Sequence, residues 1–107
     1  MEAHLATFAF PGSLIRDGDP ILWACEVLRG LFRSGWEIHI LSPGTDRKAV
    51  KLFIDRLGLP VSVIHMDVDG PTLVIEIGSD LHFDQDDKAI RFIIEYGIPC
   101  IKVAVIA

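Results

Sequence analysis

Short apolar runs of five or six residues alternate along this chain with longer segments in which apolar residues recur every three or four positions. A run that short cannot make a helix of its own, whereas a 3.6-residue period is the mark of a helix that buries one face. The alternation of the two is the pattern of strand–helix–strand units. It restricts the chain to layered α/β architectures in which helices cover a mainly parallel sheet.

The segments fall as follows. Leu5–Phe10 reads as a first strand, broken by Pro11-Gly12-Ser13. Asp19-Pro20 has the form of an N-cap and first-turn proline, and opens a helix predicted over Pro20–Ser34. Trp36–Leu41 reads as the second strand. A second helix capped by Thr45 or Asp46 carries Ala49, Val50, Phe53, Ile54 and Leu57 on one face, and Gly58 stops it. Val61–His65 reads as a third strand and Thr72–Ile77 as a fourth, joined by an acidic turn at Asp67–Pro71. Gly78–Asp84 reads as a polar loop. A third helix, opened by Asp84, Asp86 and Asp87, runs to about Tyr96, and Ile98–Ile106 supplies the fifth strand. The expected order is β-α-β-α-β-β-α-β. The fold class is a three-layer α/β sandwich with a mainly parallel, five-stranded sheet of Rossmann-like type, formed by residues 1–107 as one domain.

Composition narrows the function classes. Half of the 107 residues are apolar, enough for a core, and 23% are charged, so the chain is globular. Ten Lys and Arg against fifteen Asp and Glu leave a net charge of -5 with no basic cluster, which argues against tracking a nucleic-acid backbone. Cys25 and Cys100 stand far apart in apolar surroundings, so they read as buried thiols rather than a disulfide framework or a metal clip. No apolar run reaches the roughly 20 residues of a membrane helix, and no secretory leader opens the chain; a cytoplasmic setting is the expectation.

In an open parallel sheet, ligands bind beyond the carboxyl ends of the strands. That rule singles out Pro11–Asp19, Ser42–Asp46, Asp67–Pro71 and Gly78–Asp84. Each of these loops carries aspartate, and the second also offers Ser42 and Thr45, an oxygen-rich set suited to Mg²⁺ and phosphate.

The same loops resemble the motifs of the haloacid dehalogenase superfamily of phosphohydrolases. Phe8-Ala9-Phe10-Pro11-Gly12-Ser13-Leu14 is similar to the F-D-x-D-G-T-L of the family's first loop. Ile38-His39-Ile40-Leu41-Ser42 is similar to the second motif, and Asp80 and Asp84 have the spacing of its acidic pair. Tyr96-Gly97-Ile98-Pro99-Cys100-Ile101-Lys102-Val103 resembles the closing segment. The resemblance implies a minimal core of haloacid dehalogenase-like topology, phosphate binding at Gly12 and Ser42, and weakly held Mg²⁺ at Asp80 and Asp84.

The departures are specific. The family's attacking aspartate is Ala9 here and its general acid/base is Pro11, and neither side chain can attack or carry a proton. No lysine lies between Lys51 and Lys88, so the family's charge-balancing lysine has no counterpart unless Arg47 or Lys48 reaches round. Asp67-Val68-Asp69-Gly70-Pro71-Thr72 is similar to DxDGT with one insertion, but reads more simply as turn chemistry. Two functions stay open. One is a binding or regulatory module that has lost hydrolysis and meets a phosphorylated small molecule, a protein partner or a second copy of itself. The other is a Mg²⁺-dependent phosphohydrolase with relocated carboxylates, Asp67 or Asp69 acting with Asp80 and Asp84. The bland reading of Asp80 and Asp84, a loop acid and a helix cap, stands beside both. His82 is an acid/base candidate of the fourth loop, while His4, His39 and His65 sit in or beside strands without metal spacing.

Overall fold

Five parallel strands form the sheet of the computed structural model, which describes residues 3–104. In chain order the elements are β1 (Leu5–Ala9), β2 (Ile15–Arg16), β3 (Asp19–Pro20), α1 (Leu22–Arg33), β4 (Glu37–Leu41) and α2 (Arg47–Leu57). They continue with β5 (Val63–His65), α3 (Gly70–Ile77), β6 (Leu81–Asp84), α4 (Asp87–Ile94) and β7 (Cys100–Lys102). The sheet order is β5-β4-β1-β6-β7, so β1 is central, and β2 and β3 make a separate two-stranded ribbon.

Helices cover both faces, which gives the expected three-layer α/β sandwich. On one face Ala6, Phe8, Ile38, Ile40 and Phe83 pack against Leu28 of α1 and Val50 and Ile54 of α2. On the other, Leu41 packs with Val74 of α3 and Ile93 of α4. Strand residues alternate between the two faces. This is why Phe8 and Phe83, paired in register across β1 and β6, stack with ring centroids 4.3 Å apart on the α1/α2 side.

Three expectations are corrected. Thr72–Ile77 is not a strand but most of α3. Its run of Leu, Val and Ile has no period that separates a buried strand from a buried helix. The decisive groups flank it: Pro71 lies in the first turn and Gly78 ends the helix at φ 68°. The fourth parallel strand is instead β6, within the segment read as the polar loop Gly78–Asp84. The order therefore has a helix between every pair of consecutive sheet strands, and Asp67–Pro71 leads into a helix rather than forming a β-turn.

The third correction is at Asp19-Pro20, which do not open a helix. They pair with Ile15–Arg16 as an antiparallel hairpin whose turn residues, Asp17 (φ 51°) and Gly18 (φ 83°), both take positive φ. An Asp-Gly pair is the favoured two-residue hairpin turn. Helix α1 then begins at Leu22 with Ile21 as its uncapped N-cap. Of the last predicted strand, Cys100–Lys102 is confirmed, and its end at Val105 and Ile106 lies outside the described residues. No helix among the described residues is long and apolar enough to cross a membrane.

Candidate functional site

The carboxyl ends of β1, β4 and β6 meet at one edge of the sheet, and a cleft of about 350 Å³ opens there. Its floor is the chain leaving β1: Ala9, Phe10, Pro11 and Gly12. Its walls are Leu41 and Pro43 after β4, Val68–Pro71 at the start of α3, and Asp84, Gln85, Asp86 and Ala89 between β6 and α4.

The loop after β1 is built as a tight turn. Ser13 N–H donates to Ala9 O at 3.0 Å and Ser13 Oγ to the same carbonyl at 2.5 Å, while Leu14 and Ile15 both donate to Pro11 O. Phe10 N–H donates to Leu41 O at 2.8 Å, which ties the loop to β4. Ser13 and Leu14 are fully buried, so this turn plugs the end of the sheet and presents Ala9, Pro11 and Gly12 to the cleft.

Asp84 ends β6 and is buried beneath the cleft. Its carboxylate is already engaged: Oδ1 accepts from Gln85 N–H at 2.8 Å and Asp86 N–H at 3.0 Å, and Oδ2 lies 2.9 Å from His82 Nε2. From His82 a polar chain runs back along the sheet through Nδ1 to Thr7 Oγ1 at 2.7 Å, Ser79 Oγ at 2.9 Å and the Leu81 carbonyl at 2.9 Å. Thr7 and His82 are shut off from solvent, so this chain anchors Asp84 rather than meeting a substrate. Asp86 caps α4 by accepting from Lys88 N–H, and Asp69 accepts from Thr72 Oγ1.

The structure brings some of the sequence candidates together and parts others. Ala9, Pro11, Gly12, Asp69 and Asp84 line one cleft. Ser42 is buried beside it and accepts from Gly44 N–H at 3.2 Å; it lines an adjoining hollow that shares Phe10, Pro11 and Pro43 with the cleft. Asp67 is not in the cleft lining; it takes φ 54° and donates its N–H to Gly44 O at 2.9 Å.

Asp80 does not join this group, which corrects the expected Asp80–Asp84 metal pair. Its Oδ2 accepts from Leu5 N–H at 2.7 Å, at the amino edge of the sheet, with His4 Nδ1 3.7 Å away. The length of β6 separates it from Asp84 by about 13 Å at roughly 3.3 Å per residue. The misread strand produced the error: with β6 taken as a loop, both acids fell beyond a strand end. His82, expected in that loop, is instead buried within β6.

The acidic segment that does reach the site is Asp84–Asp86, and sequence reading passed over Gln85 and Asp86 as site residues. The cluster Phe83-Asp84-Gln85-Asp86-Asp87 directly after an apolar run was the available signal. Lys102, at the end of β7, sets Nζ 2.8 Å from Asp87 Oδ1, and its hydrogen bond and charge hold the Asp87 carboxyl below its ordinary range. Arg47 does not reach round: its guanidinium donates to Ile64 O at 3.2 Å.

Of the carboxylates lining the cleft, Asp84 holds His82 and two backbone N–H groups, Asp86 caps α4 and Asp69 accepts from Thr72 Oγ1, and no three His, Cys, Asp or Glu gather into a metal-holding group among the described residues.

No protein-family model matches the chain, and no curated protein does. Among solved structures, it is similar to a chain of the Pnkp1/Rnl/Hen1 RNA repair complex, with a TM-score of 0.76 at 14% identity. The match covers 94% of this chain and 42% of that one, and at this identity it establishes the α/β fold alone.

Proposed function

We propose that this chain is a non-catalytic module of haloacid dehalogenase-like build, whose carboxyl-edge cleft binds a partner without hydrolysing it. One observation carries the reading: Ala9 and Pro11 form the cleft floor at the positions where the resemblance puts the attacking and proton-carrying aspartates. Neither offers an atom that can attack phosphorus or move a proton. The nearby Asp84 cannot stand in, because both its oxygens are held by Gln85 and Asp86 N–H and by His82.

The lining favours one kind of partner. Asp69, Asp84 and Asp86 are acidic, and no Lys or Arg lines the cleft among the described residues. A bare phosphate would meet like charge there, whereas a protein segment bearing Lys or Arg would meet opposite charge. The acidic net charge of the chain favours the same partner.

The test is a ¹⁵N NMR titration of the full chain with a lysine- and arginine-bearing peptide, then inorganic phosphate, Mg²⁺ and a short RNA with a terminal phosphate. The RNA is included because the structural neighbour belongs to an RNA repair complex. A parallel assay follows p-nitrophenyl phosphate with Mg²⁺. The expected result is shifts at Ala9–Gly12, Asp69 and Asp84–Asp86 with the basic peptide, and no turnover. Mg²⁺-dependent turnover that disappears in Asp69→Asn or Asp86→Asn would restore the relocated-carboxylate hydrolase and overturn the proposal.

A further inference from the structure

The crossovers leave one margin of the sheet open. Helix α1 joins β1 to β4 and α2 joins β4 to β5, so both lie over that side of the central strand. Helices α3 and α4 cover the other face. On the α1/α2 face, the edge strand β7 therefore has no helix above it among the described residues. Ile101 of β7 stands in register beside Phe83 and shares its face, yet it is 38% exposed where Phe83 is buried. The flank of α1 that looks toward this gap is apolar. Arg29 donates to the Leu57 carbonyl of α2 and so marks the flank turned to α2. At about 3.6 residues per turn, Trp23 and Val27 fall on the opposite flank. Both are exposed.

A hollow of about 690 Å³ opens at the head of that flank, between Arg16 and Asp19 of the ribbon, Leu22 and Trp23 of α1, and Ala104 after β7. It shares no lining residue with the cleft. Leu22 is 71% exposed and Trp23 44%, large apolar side chains open to water in the single chain. Such a patch marks an interaction surface. The charges at its rim decide what it meets. Arg16 and Asp19 stand directly opposite each other in the β2–β3 pairing, both exposed, and neither enters an ion pair among the described residues. A two-fold interface sets a patch against a copy of itself, so the patch must complement itself. One cation beside one anion does so: Arg16 of each copy meets Asp19 of the other, and the pairing occurs twice. The acidic cleft fails the same requirement, since Asp69, Asp84 and Asp86 would face like charge.

We propose that this face is the contact between two copies of the chain, a two-fold dimer in which Leu22, Trp23 and Val27 of each copy pack against those of the other and Arg16 pairs with Asp19 across the axis. The apolar residues form the core of the contact and the ribbon charges its rim, the usual division of a protein interface. Trp23 is the anchor, because binding energy concentrates on large aromatic side chains seated in pockets. The charges set the register, since an alignment that opposes Arg16 to Arg16 brings like charges together. The inference is independent of what the cleft binds.

The experiment measures the oligomeric state of the full chain by sedimentation equilibrium from micromolar to millimolar concentration, with ¹⁵N amide shifts followed over the same range. The expected result is a monomer–dimer equilibrium with concentration-dependent shifts centred on Arg16–Val27. Trp23→Ser weakens the dimer about tenfold or more. Arg16→Asp and Asp19→Arg each weaken it by about the same factor, by setting like charges together, and the double exchange restores it to within a few-fold of the native chain. The native chain tests the surface even if a variant fails to fold: a monomer at millimolar concentration would overturn the proposal. So would association whose shifts centre on the exposed Phe92 and Tyr96, or a double exchange that leaves a folded chain monomeric.

Discussion

Gly12 and Gln85 meet across the cleft at a distance that admits a side chain on Gly12 only if the glutamine turns away: a Cβ on Gly12 would stand 2.5 Å from Gln85 Cδ and 2.6 Å from Cγ. The glutamine belongs to the β6–α4 connection and the glycine to the turn after β1. Their contact closes the first loop against the acidic one.

Gly12→Ala is therefore expected to turn the exposed Gln85 side chain aside at small cost, within about 0.5 kcal/mol of the native chain in urea denaturation. Gln85→Ala made together with it should remove even that difference, because the two sites share one contact. A loss above about 1 kcal/mol that Gln85→Ala does not recover would mean that the added methyl meets something other than that side chain.

The buried chain from Ser79 through Thr7 and His82 to Asp84 makes a second prediction. His82→Leu leaves the Thr7 hydroxyl and one Asp84 oxygen without their imidazole partner in a solvent-free interior. Thr7 keeps Ser79 Oγ, so the orphaned group is Asp84 Oδ2, at about 1–3 kcal/mol and more where it is charged. The variant should unfold at markedly lower urea. It should also disturb the amide signals of Gln85 and Asp86, whose N–H groups Asp84 holds.

Phe83→Ala removes one of two stacked rings from the α1/α2 side of the sheet, both fully buried. The expected loss is about 3–5 kcal/mol, measurable by chemical or thermal unfolding. A domain this small has only a few times that to lose.

Cysteine chemistry supplies a pH test. Burial, with the Asp84 carboxylate adding to it, pushes the Cys100 thiol from 9.0 up to about 11. Two pH units correspond to about a hundredfold less thiolate at pH 8, so alkylation of native Cys100 should run about that much slower than in the unfolded chain. The sign for stability follows. A thiol whose pKa is raised by folding contributes fully below pH 9.0, and the contribution is lost as pH rises toward about 11. The melting temperature should fall less steeply over that window in Cys100→Ser than in the native chain. Burial raises Cys25 in the same sense, so the comparison isolates Cys100.

How much of this was legible in the sequence varied with the local signal. Helices α1 and α2 were readable because their apolar faces keep a helical period and Gly58 marks a stop. Strands β1 and β4 were readable because they are short, apolar and bounded by Pro and Gly breaks. The stretch from Asp67 to Asp84 was not. Thr72–Ile77 is apolar in either assignment, and β6 carries His82 and Asp84, polar residues that look like loop until buried partners are found for them. The partner of His82 beyond Asp84 is Thr7, 75 residues away in the chain. The same slip hid Asp86 and credited Asp80, while Ala9, Pro11 and Gly12 were placed correctly because β1 was.

The β2–β3 ribbon also bears on how such a chain tolerates change. It pairs only with itself and hangs between the central strand and its first crossover helix, with an exposed Asp17-Gly18 tip. Residues added at that tip would shift no register in the five-stranded sheet and cross no hydrogen bond of the crossover. The ribbon is thus a natural port for grafting: an inserted peptide or small domain would project from the end of the sheet where β1 delivers the chain to the cleft.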